Sequence, residues 1–227
     1  MRLLIVISVF NEETVISKVL SQIPQKIAGI AKIQVAVVND GSIDGTAAQV
    51  SKFKNVILLN HLLNRGIGAC WQTGFDYARQ FDFDIVVTID GDGQHNPAEI
   101  HRLTRPILAG RSDVVLGSRL KLGKMPQDRR ILNLLANIYT FLLFGIFVTD
   151  SQTGFRAYSK KAFSQIKLST SRMEAASDIF GEITRKKLKV TEVAVTPIYT
   201  EYSRKKGQKN LNAINIAAKL FFRFLTN

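Results

Sequence analysis

The sequence predicts an α/β domain with a mainly parallel sheet over roughly its first 118 residues, and three observations predict it. Apolar runs of strand length recur along the chain, segments of helical character stand between them, and the connecting turns are short. Leu3–Val9 is a continuous apolar run, as expected of a strand buried on both faces. Glu12–Leu20 has helical character. Ile33–Val38 reads as a second strand and Asp44–Val50 as a short helix. Val56–Leu59 is a third strand, followed by a helix across Gly66–Gln80. Ile85–Ile89 is a fourth strand and Val114–Leu116 a fifth.

A chain of 227 residues with 46% apolar content suits one large domain with a single core, or at most two small ones. The charge is the unusual quantity: 31 Lys plus Arg against 18 Asp plus Glu leave a net +13. That excess favours an anionic partner, whether nucleic acid, a phosphorylated substrate or an acidic membrane face. The single cysteine, Cys70, excludes an intrachain disulfide framework and a multi-thiolate zinc site, and it suits a reducing compartment. The basic-apolar start Met1–Val9 ends at Asn11, Glu12 and Glu13 without a small-residue cleavage site. It reads as a first strand, not a signal peptide.

Beyond residue 118 the pattern changes. Ile131–Val148 is almost wholly apolar over about eighteen residues, the lower edge for spanning a bilayer. Asn133, Asn137 and Thr140 recur in it at helical spacing and form one polar stripe, which argues against a lone span. Leu211–Leu225 repeats the design, with Asn212, Asn215, Lys219 and Arg223 on one side. Both segments read either as helices covering the core or as helices lying in a membrane interface, where apolar faces bordered by cations sit. The basic segment Arg119–Arg130, with Lys121, Lys124 and Arg129, adds weight to the interface reading.

The strongest local chemical signal is Ile89-Asp90-Gly91-Asp92-Gly93-Gln94, two carboxylates one residue apart at the end of a buried strand. Ligands bind at the C-terminal ends of strands in open parallel sheets. A sharp turn at Gly91 and Gly93 lets both carboxylates converge on one hard divalent cation, Mg²⁺ or Mn²⁺, that also holds phosphate oxygens. Aspartates and glycines crowd ordinary turns as well, so the pair draws its weight from its position. Asn39-Asp40-Gly41-Ser42 ends the second strand on the same rim, where Asp40 can accept hydrogen bonds from a base or ribose. Asp44 reads as a helix cap. Asn11 and Glu12 end the first strand there too. Asn64-Arg65-Gly66-Ile67-Gly68 is not a dinucleotide fingerprint, because the glycine loop should follow the first strand. Its Arg65 before a helix start still suits a pyrophosphate. His95 reads as a loop histidine more than a metal ligand, and His61 and His101 have no evident partners.

Ile7-Ser8-Val9-Phe10-Asn11-Glu12, Asn39–Thr46, Asn64–Gly68, Asp90–His95, Gly117-Ser118-Arg119 and Asp150–Arg156 stand in the order seen in family 2 glycosyltransferases. The chain resembles, within that family, the dolichol- and polyprenyl-phosphate mannose synthase group over nearly its whole length. The resemblance implies a GT-A fold in one catalytic domain, 1–227. Its halves would be a nucleotide-sugar half, 1–118, and an acceptor half, 119–210, with an interface helix at 131–148 and a C-terminal amphipathic helix at 211–227. By similarity Asp90, Asp92 and Gln94 hold the metal and the donor diphosphate. Ser8, Asn11, Glu12, Asn39, Asp40, Arg65, Asp90 and Gly91 line the nucleotide-sugar site, and Arg119 meets the acceptor phosphate with Arg129 or Arg130. Asp92 and Arg119 are the expected catalytic pair. Ser8 departs from a common proline, and Asn39 replaces the first of two common aspartates, which opens the question of base selectivity.

The physical chemistry agrees with the lack of an obvious base. A hydroxyl acceptor needs a carboxylate to take its proton, for which only Glu174 or Asp178 offer themselves, at a distance. A phosphate monoester has a second pKa of about 6 and arrives ionised, so it needs arginines to position it and a metal to stabilise the leaving diphosphate. The expected reaction inverts the anomeric centre, moving a hexose or N-acetylhexosamine from a GDP- or UDP-sugar to polyprenyl or dolichyl phosphate. The alternative is a relative acting on a glycan or cell-wall hydroxyl. The expected partners are a nucleotide sugar, a polyprenyl phosphate and an anionic membrane surface, with room for a separate membrane-anchoring subunit. The expected location is the cytoplasmic membrane face or the cytoplasm. Asp150 and Arg156 flank a turn as site residues or a structural pair. Thr200–Lys209, with Tyr202, Arg204, Lys205, Lys206 and Lys209, reads as a solvated basic loop or a clamp over phosphates. A nucleic-acid-binding module is the remote third reading, supported by charge but lacking stacking surfaces and a motif.

Overall fold

A computed structural model describes residues 1–122, 127–168 and 175–199 of the chain. Leu211–Leu225, Thr200–Lys209, Lys124 and Glu174, singled out above, lie outside the described residues. The described strands are β1 (Arg2–Val9), β2 (Lys32–Asn39), β3 (Val56–Asn60), β4 (Ile85–Asp90), β5 (Val114–Ser118), β6 (Arg156–Ser159) and β7 (Val190–Ala194). They form one seven-stranded sheet in the order β3-β2-β1-β4-β6-β5-β7. All pairings are parallel except those of β6, which runs antiparallel between β4 and β5.

The run Leu3–Val9 is apolar at every position but Ser8 because both of its faces are covered. Leu4 and Val6 point into one core cluster with Trp71, Phe75, Phe163 and Phe180. Leu3, Ile5, Ile7 and Val9 point into the other with Ile16, Leu20, Ile100 and Leu103. The period of two sorts one strand into two cores. The first is closed by α3 (Ile67–Gln80), α6 (Lys160–Gln165) and α7 (Ala175–Arg185), the second by α1 (Ile16–Ser21), α2 (Thr46–Ser51) and α4 (Ile100–Leu108). The result is an α/β/α sandwich.

The long apolar helix α5 spans Gln127–Phe144, four residues earlier at each end than the apolar run. The chain leaves it at Gly145, whose φ of +68° suits a glycine after a helix. Its Asn133, Asn137 and Thr140 are buried, while Ile131, Leu134, Leu135, Ile138, Phe141 and Leu142 are exposed. The helix is inside out, with its polar stripe against the protein. Among the described residues, no helix is long and apolar enough to cross a membrane.

Candidate functional site

The parallel register brings the ends of three strands to one rim: Ser8 lies beside Val38 on one side and Asp90 on the other. Asn11 (φ +54°) turns the chain after β1, a left-handed position that asparagine tolerates. Its Nδ2–Oδ1 group serves the neighbouring loop, with Oδ1 accepting from the Ile43 amide at 3.0 Å. The Glu12 carbonyl starts α1 by accepting from Val15 and Ile16, and its amide donates to Thr46 Oγ1 at 2.8 Å. Asp44 accepts from the Thr46 amide at 3.0 Å at the entry to α2, a structural role one residue before the cap position, Gly45.

Asp40 is buried and its carboxylate is engaged inside the protein. It accepts from the amides of Arg65 at 2.9 Å and Gly66 at 2.7 Å, and stands 2.7 Å from His61 Nδ1. His61 Nε2 is 2.9 Å from Thr73 Oγ1. His61 therefore has two partners where none was expected. β3 pairs with β2 with Asn39 opposite Asn60, which puts the next residues, Asp40 and His61, side by side, a register set by the fold and not by any local pattern. Asn39 donates to Asn60 Oδ1 at 2.9 Å and accepts from the Ser42 amide at 3.2 Å, bracing the same loop. What Asp40 presents to the rim is the N-terminus of α3, with the exposed side chain of Arg65 at its mouth. Asp40, His61 and Cys70 bring three ligand-type atoms within 4.8 Å. Within this group both imidazole nitrogens are hydrogen-bonded, to Asp40 and Thr73. Burial, followed by the Asp40 charge, pushes the Cys70 thiol up to about 12, so it stays protonated.

The acidic turn sits at the end of β4. Gly91 donates to the Ser8 carbonyl at 3.0 Å, and a Cβ there would fall 2.4 Å from Val9 Cγ1, so only glycine lets the turn lie this close. Asp92 accepts from Gln94 twice, from its amide at 2.9 Å and from Nε2 at 2.6 Å. Gln94 Oε1 in turn accepts from Arg129 Nη1 at 3.1 Å. Asp90 keeps one oxygen, Oδ1, buried without a hydrogen-bond partner. Burial and then the Asp92 charge raise its pKa to about 7, against the opposing influence of Arg119 and Arg156. A hard divalent cation shared by Asp90 and Asp92 would relieve that repulsion and use the unsatisfied oxygen, so the donor set fits Mg²⁺ or Mn²⁺. His95 is buried, not a solvated loop residue. Its Nε2 is 3.9 Å from Asp90, and burial pushes its pKa down to about 3, keeping it neutral.

On the far side of Asp90, Arg119 follows β5. Its Nε and Nη2 grip Asp150 at 2.7 and 2.8 Å, and its amide donates to the same carboxylate at 3.0 Å. Burial disfavours the cation, but the charge and hydrogen bonds of Asp150 outweigh it and raise the Arg119 pKa. The guanidinium keeps donors beyond the two that Asp150 uses. Arg156 does not pair with Asp150. It lies buried with Nε on the Thr153 carbonyl at 2.7 Å and Nη2 on the Ser151 carbonyl at 2.8 Å, between Trp71 and Phe180. Arg129 also stacks near Tyr199, whose ring centroid is 5.6 Å away, and Arg130 is exposed on α5. Asp178 lies half-buried on α7. The site thus gathers an acidic turn, two arginines and a helix N-terminus on one rim.

A family model described as Glycosyl transferase family 2 matches residues 4–167. The chain is 34% identical over 243 residues to the UDP-N-acetylglucosamine–dolichyl-phosphate N-acetylglucosaminyltransferase of Methanococcus voltae, covering 97% of this chain and 94% of that one. It is 28% identical over 232 residues to the polyprenol monophosphomannose synthase of Mycolicibacterium smegmatis, covering 97% of this chain and 84% of that one. Among solved structures it is similar to glucosyl-3-phosphoglycerate synthase from Mycobacterium tuberculosis in complex with Mn²⁺, uridine diphosphate and phosphoglyceric acid. That likeness has a TM-score of 0.75 at 17% identity and covers 99% of this chain and 77% of that one. It places the sheet and its helices in the GT-A fold.

Proposed function

The chain belongs to glycosyl transferase family 2, and from that premise we propose that it moves a hexose or N-acetylhexosamine from a nucleotide sugar to a polyprenyl phosphate, with inversion at the anomeric carbon. The observation that carries this reading is the bridge across the rim. Gln94 joins the carboxylate of Asp92 to the guanidinium of Arg129, and Asp90 lies in the field of Arg119. A leaving diphosphate and an attacking phosphate are both anions, and this rim offers each of them a positive group.

In this reading Asp90 and Asp92 hold Mg²⁺ or Mn²⁺, which supplies charge stabilisation to the leaving diphosphate. The N-terminus of α3, held in place by Asp40, and Arg65 orient the donor phosphates. Arg119 and Arg129 fix the acceptor phosphate, whose oxygen is ionised near neutral pH and needs no base. The neutral, buried His95 carries no charge to compete with them.

The exposed face of α5 supplies the surface on which a lipid-borne acceptor is met. Six large apolar side chains from Ile131 to Leu142 face outward, and Arg129 and Arg130 precede them. An apolar face bordered by cations matches the interface of an anionic membrane. The protein would therefore work at a membrane surface without crossing it on α5. The test is a panel of GDP-mannose, UDP-glucose and UDP-N-acetylglucosamine with Mn²⁺, offered either a short polyprenyl phosphate or soluble sugars as acceptor. Transfer from one donor, abolished in folded Asp92→Ala, is the expected result. Transfer to soluble sugars alone would overturn the acceptor assignment, and full activity of Asp92→Ala would overturn the metal assignment.

A further inference from the structure

Two asparagines of the buried stripe of α5 reach one short segment, Thr149–Ser151. Asn133 Nδ2 and Asn137 Nδ2 both donate to the Thr149 carbonyl, at 2.9 and 2.7 Å. Asn137 Oδ1 accepts from the Ser151 amide at 2.9 Å. From the other side, Glu192 of β7 accepts from the Thr149 amide at 2.8 Å and the Asp150 amide at 3.2 Å. Glu192 also takes the Thr149 hydroxyl, which lies 2.6 Å from Ser118 Oγ at the end of β5. Four backbone polar groups around Asp150 are thus satisfied by side chains from two elements that are far apart in sequence. The carboxylate in the middle of this clamp is fully buried, and it grips Arg119 with both oxygens.

We propose that Asn133 and Asn137 of α5 and Glu192 of β7 are positioning residues. By clamping the Thr149–Ser151 backbone they hold Asp150 against Arg119, and so tie the orientation of the acceptor-facing guanidinium to the position of α5. The inference rests on the reading that Arg119 meets the acceptor phosphate. Asn137 is suited to the task because only one orientation of its amide satisfies both a carbonyl and an N–H. An aspartate at 137 would set a carboxylate oxygen against the Thr149 carbonyl. Glutamine at 192 can keep an oxygen where the two amides donate, whereas alanine leaves both buried amides unpaired. Since the opposite side of α5 is the exposed apolar face, movement of the helix on a lipid surface is transmitted along this seam to Arg119.

The experiment compares Asn137→Asp, Glu192→Ala and Glu192→Gln, each first shown to be folded by its thermal transition. In steady-state transfer to a short polyprenyl phosphate, Asn137→Asp and Glu192→Ala are expected to raise the acceptor KM about tenfold, the effect of one lost buried hydrogen bond. Donor KM and the thermal shift with nucleotide sugar and Mn²⁺ should stay within about twofold of wild type, and Glu192→Gln should restore the acceptor KM. In parallel, solvent exchange of the Arg119 Nε–H, identified in nitrogen-15 NMR by its absence in Arg119→Lys, should quicken in the first two variants only. Should wild type transfer nothing to polyprenyl phosphate, the acceptor reading fails, and the exchange rates alone still decide the coupling. Unchanged exchange overturns the positioning role, as does a rise in donor and acceptor KM together.

Discussion

Gly154→Ala is a single-methyl test of the acidic turn. A Cβ at this position would lie 2.3 and 2.5 Å from the two carboxylate oxygens of Asp90, and 2.7 Å from its Cγ. The backbone cannot retreat easily. The Gly154 carbonyl accepts from Thr88 Oγ1 at 2.8 Å, and the next carbonyl, of Phe155, accepts from the Gly117 amide at 2.9 Å. Asp90 must yield instead, by on the order of 1 Å to restore ordinary contact distances. Its main chain is fixed in β4 opposite Ser8, so the carboxylate has to rotate away from its position beside Asp92. Overpacking of this kind costs about 1–3 kcal/mol, and each kcal/mol lowers Tm by about 2–4 °C at this chain length. Metal ligands tolerate about 0.2 Å, and a 1 Å misplacement can cost about 100-fold in rate. The expected outcome is a folded protein, several degrees less stable, with transfer reduced about 100-fold and little Mn²⁺-dependent thermal stabilisation. Differential scanning fluorimetry with and without Mn²⁺, beside a transfer assay, reads both. A folded Gly154→Ala protein with the wild-type rate and the wild-type Mn²⁺ response would refute the assignment of Asp90.

Three further outcomes follow, two at Asp90 and one on α5. The Asp90 pKa, raised to about 7, means that in metal-free protein the folded state holds a proton that the unfolded chain has already released, between its ordinary value of 3.8 and about pH 7. Stability in EDTA should therefore fall as pH rises through that window, and Asp90→Asn should flatten the slope. With Mn²⁺ present the proton competes with the ion, so Mn²⁺ affinity should weaken by about tenfold per pH unit below 7. A flat affinity between pH 5 and 7 would count against Asp90 as a ligand. On α5, the triple change Leu134→Glu, Leu135→Glu and Leu142→Glu replaces exposed side chains, and should leave Tm within a few degrees of wild type. Each leucine withdrawn from an apolar phase forfeits about 1.5–3 kcal/mol, so sedimentation with anionic vesicles should drop more than about 100-fold. Equal sedimentation of variant and wild type would remove the membrane role from this face.

How much of this was legible in the sequence depended on the range of the interactions. β2 and the edge strand β3 are only partly buried, yet their apolar runs still mark them. β1, β4 and β5 stand where their apolar runs stand, because a strand buried on both faces writes its burial into nearly every residue. The acidic turn, too, is a local object at the end of such a strand. β6 was not legible: Arg-Ala-Tyr-Ser at 156–159 carries no period, and its antiparallel place between β4 and β5 is set by partners elsewhere in the chain. Asp40 was placed on the correct rim, but its donors lie 21 to 26 residues onward, so its service to the start of α3 could not be seen locally. The stripe Asn133, Asn137, Thr140 was visible as a stripe. Periodicity names the two faces of a helix without saying which one turns inward. Here the backbone groups of Thr149 and Ser151 decide it, because they need partners that an apolar face cannot give.

That reversal separates the two halves of the rim. On the donor side loops brace loops and Asp40 fixes a helix start within the α/β core, while the acidic turn reaches α5 through Gln94 and Arg129. The acceptor side is held by a seam from β5 through Thr149–Ser151 to β7 and α5, and α5 contributes its polar face to that seam at the cost of exposing its apolar one. In water alone this is an unfavourable arrangement, since a contiguous apolar face gains by leaving solvent. It becomes favourable when an apolar phase covers the outer face, which is where a polyprenyl chain resides. A water-soluble nucleotide sugar needs no such phase. On the proposed reading, the element whose outer face suits a membrane is the one that holds the arginine assigned to the lipid phosphate, and through Arg129 and Gln94 it also touches the acidic turn assigned to the nucleotide.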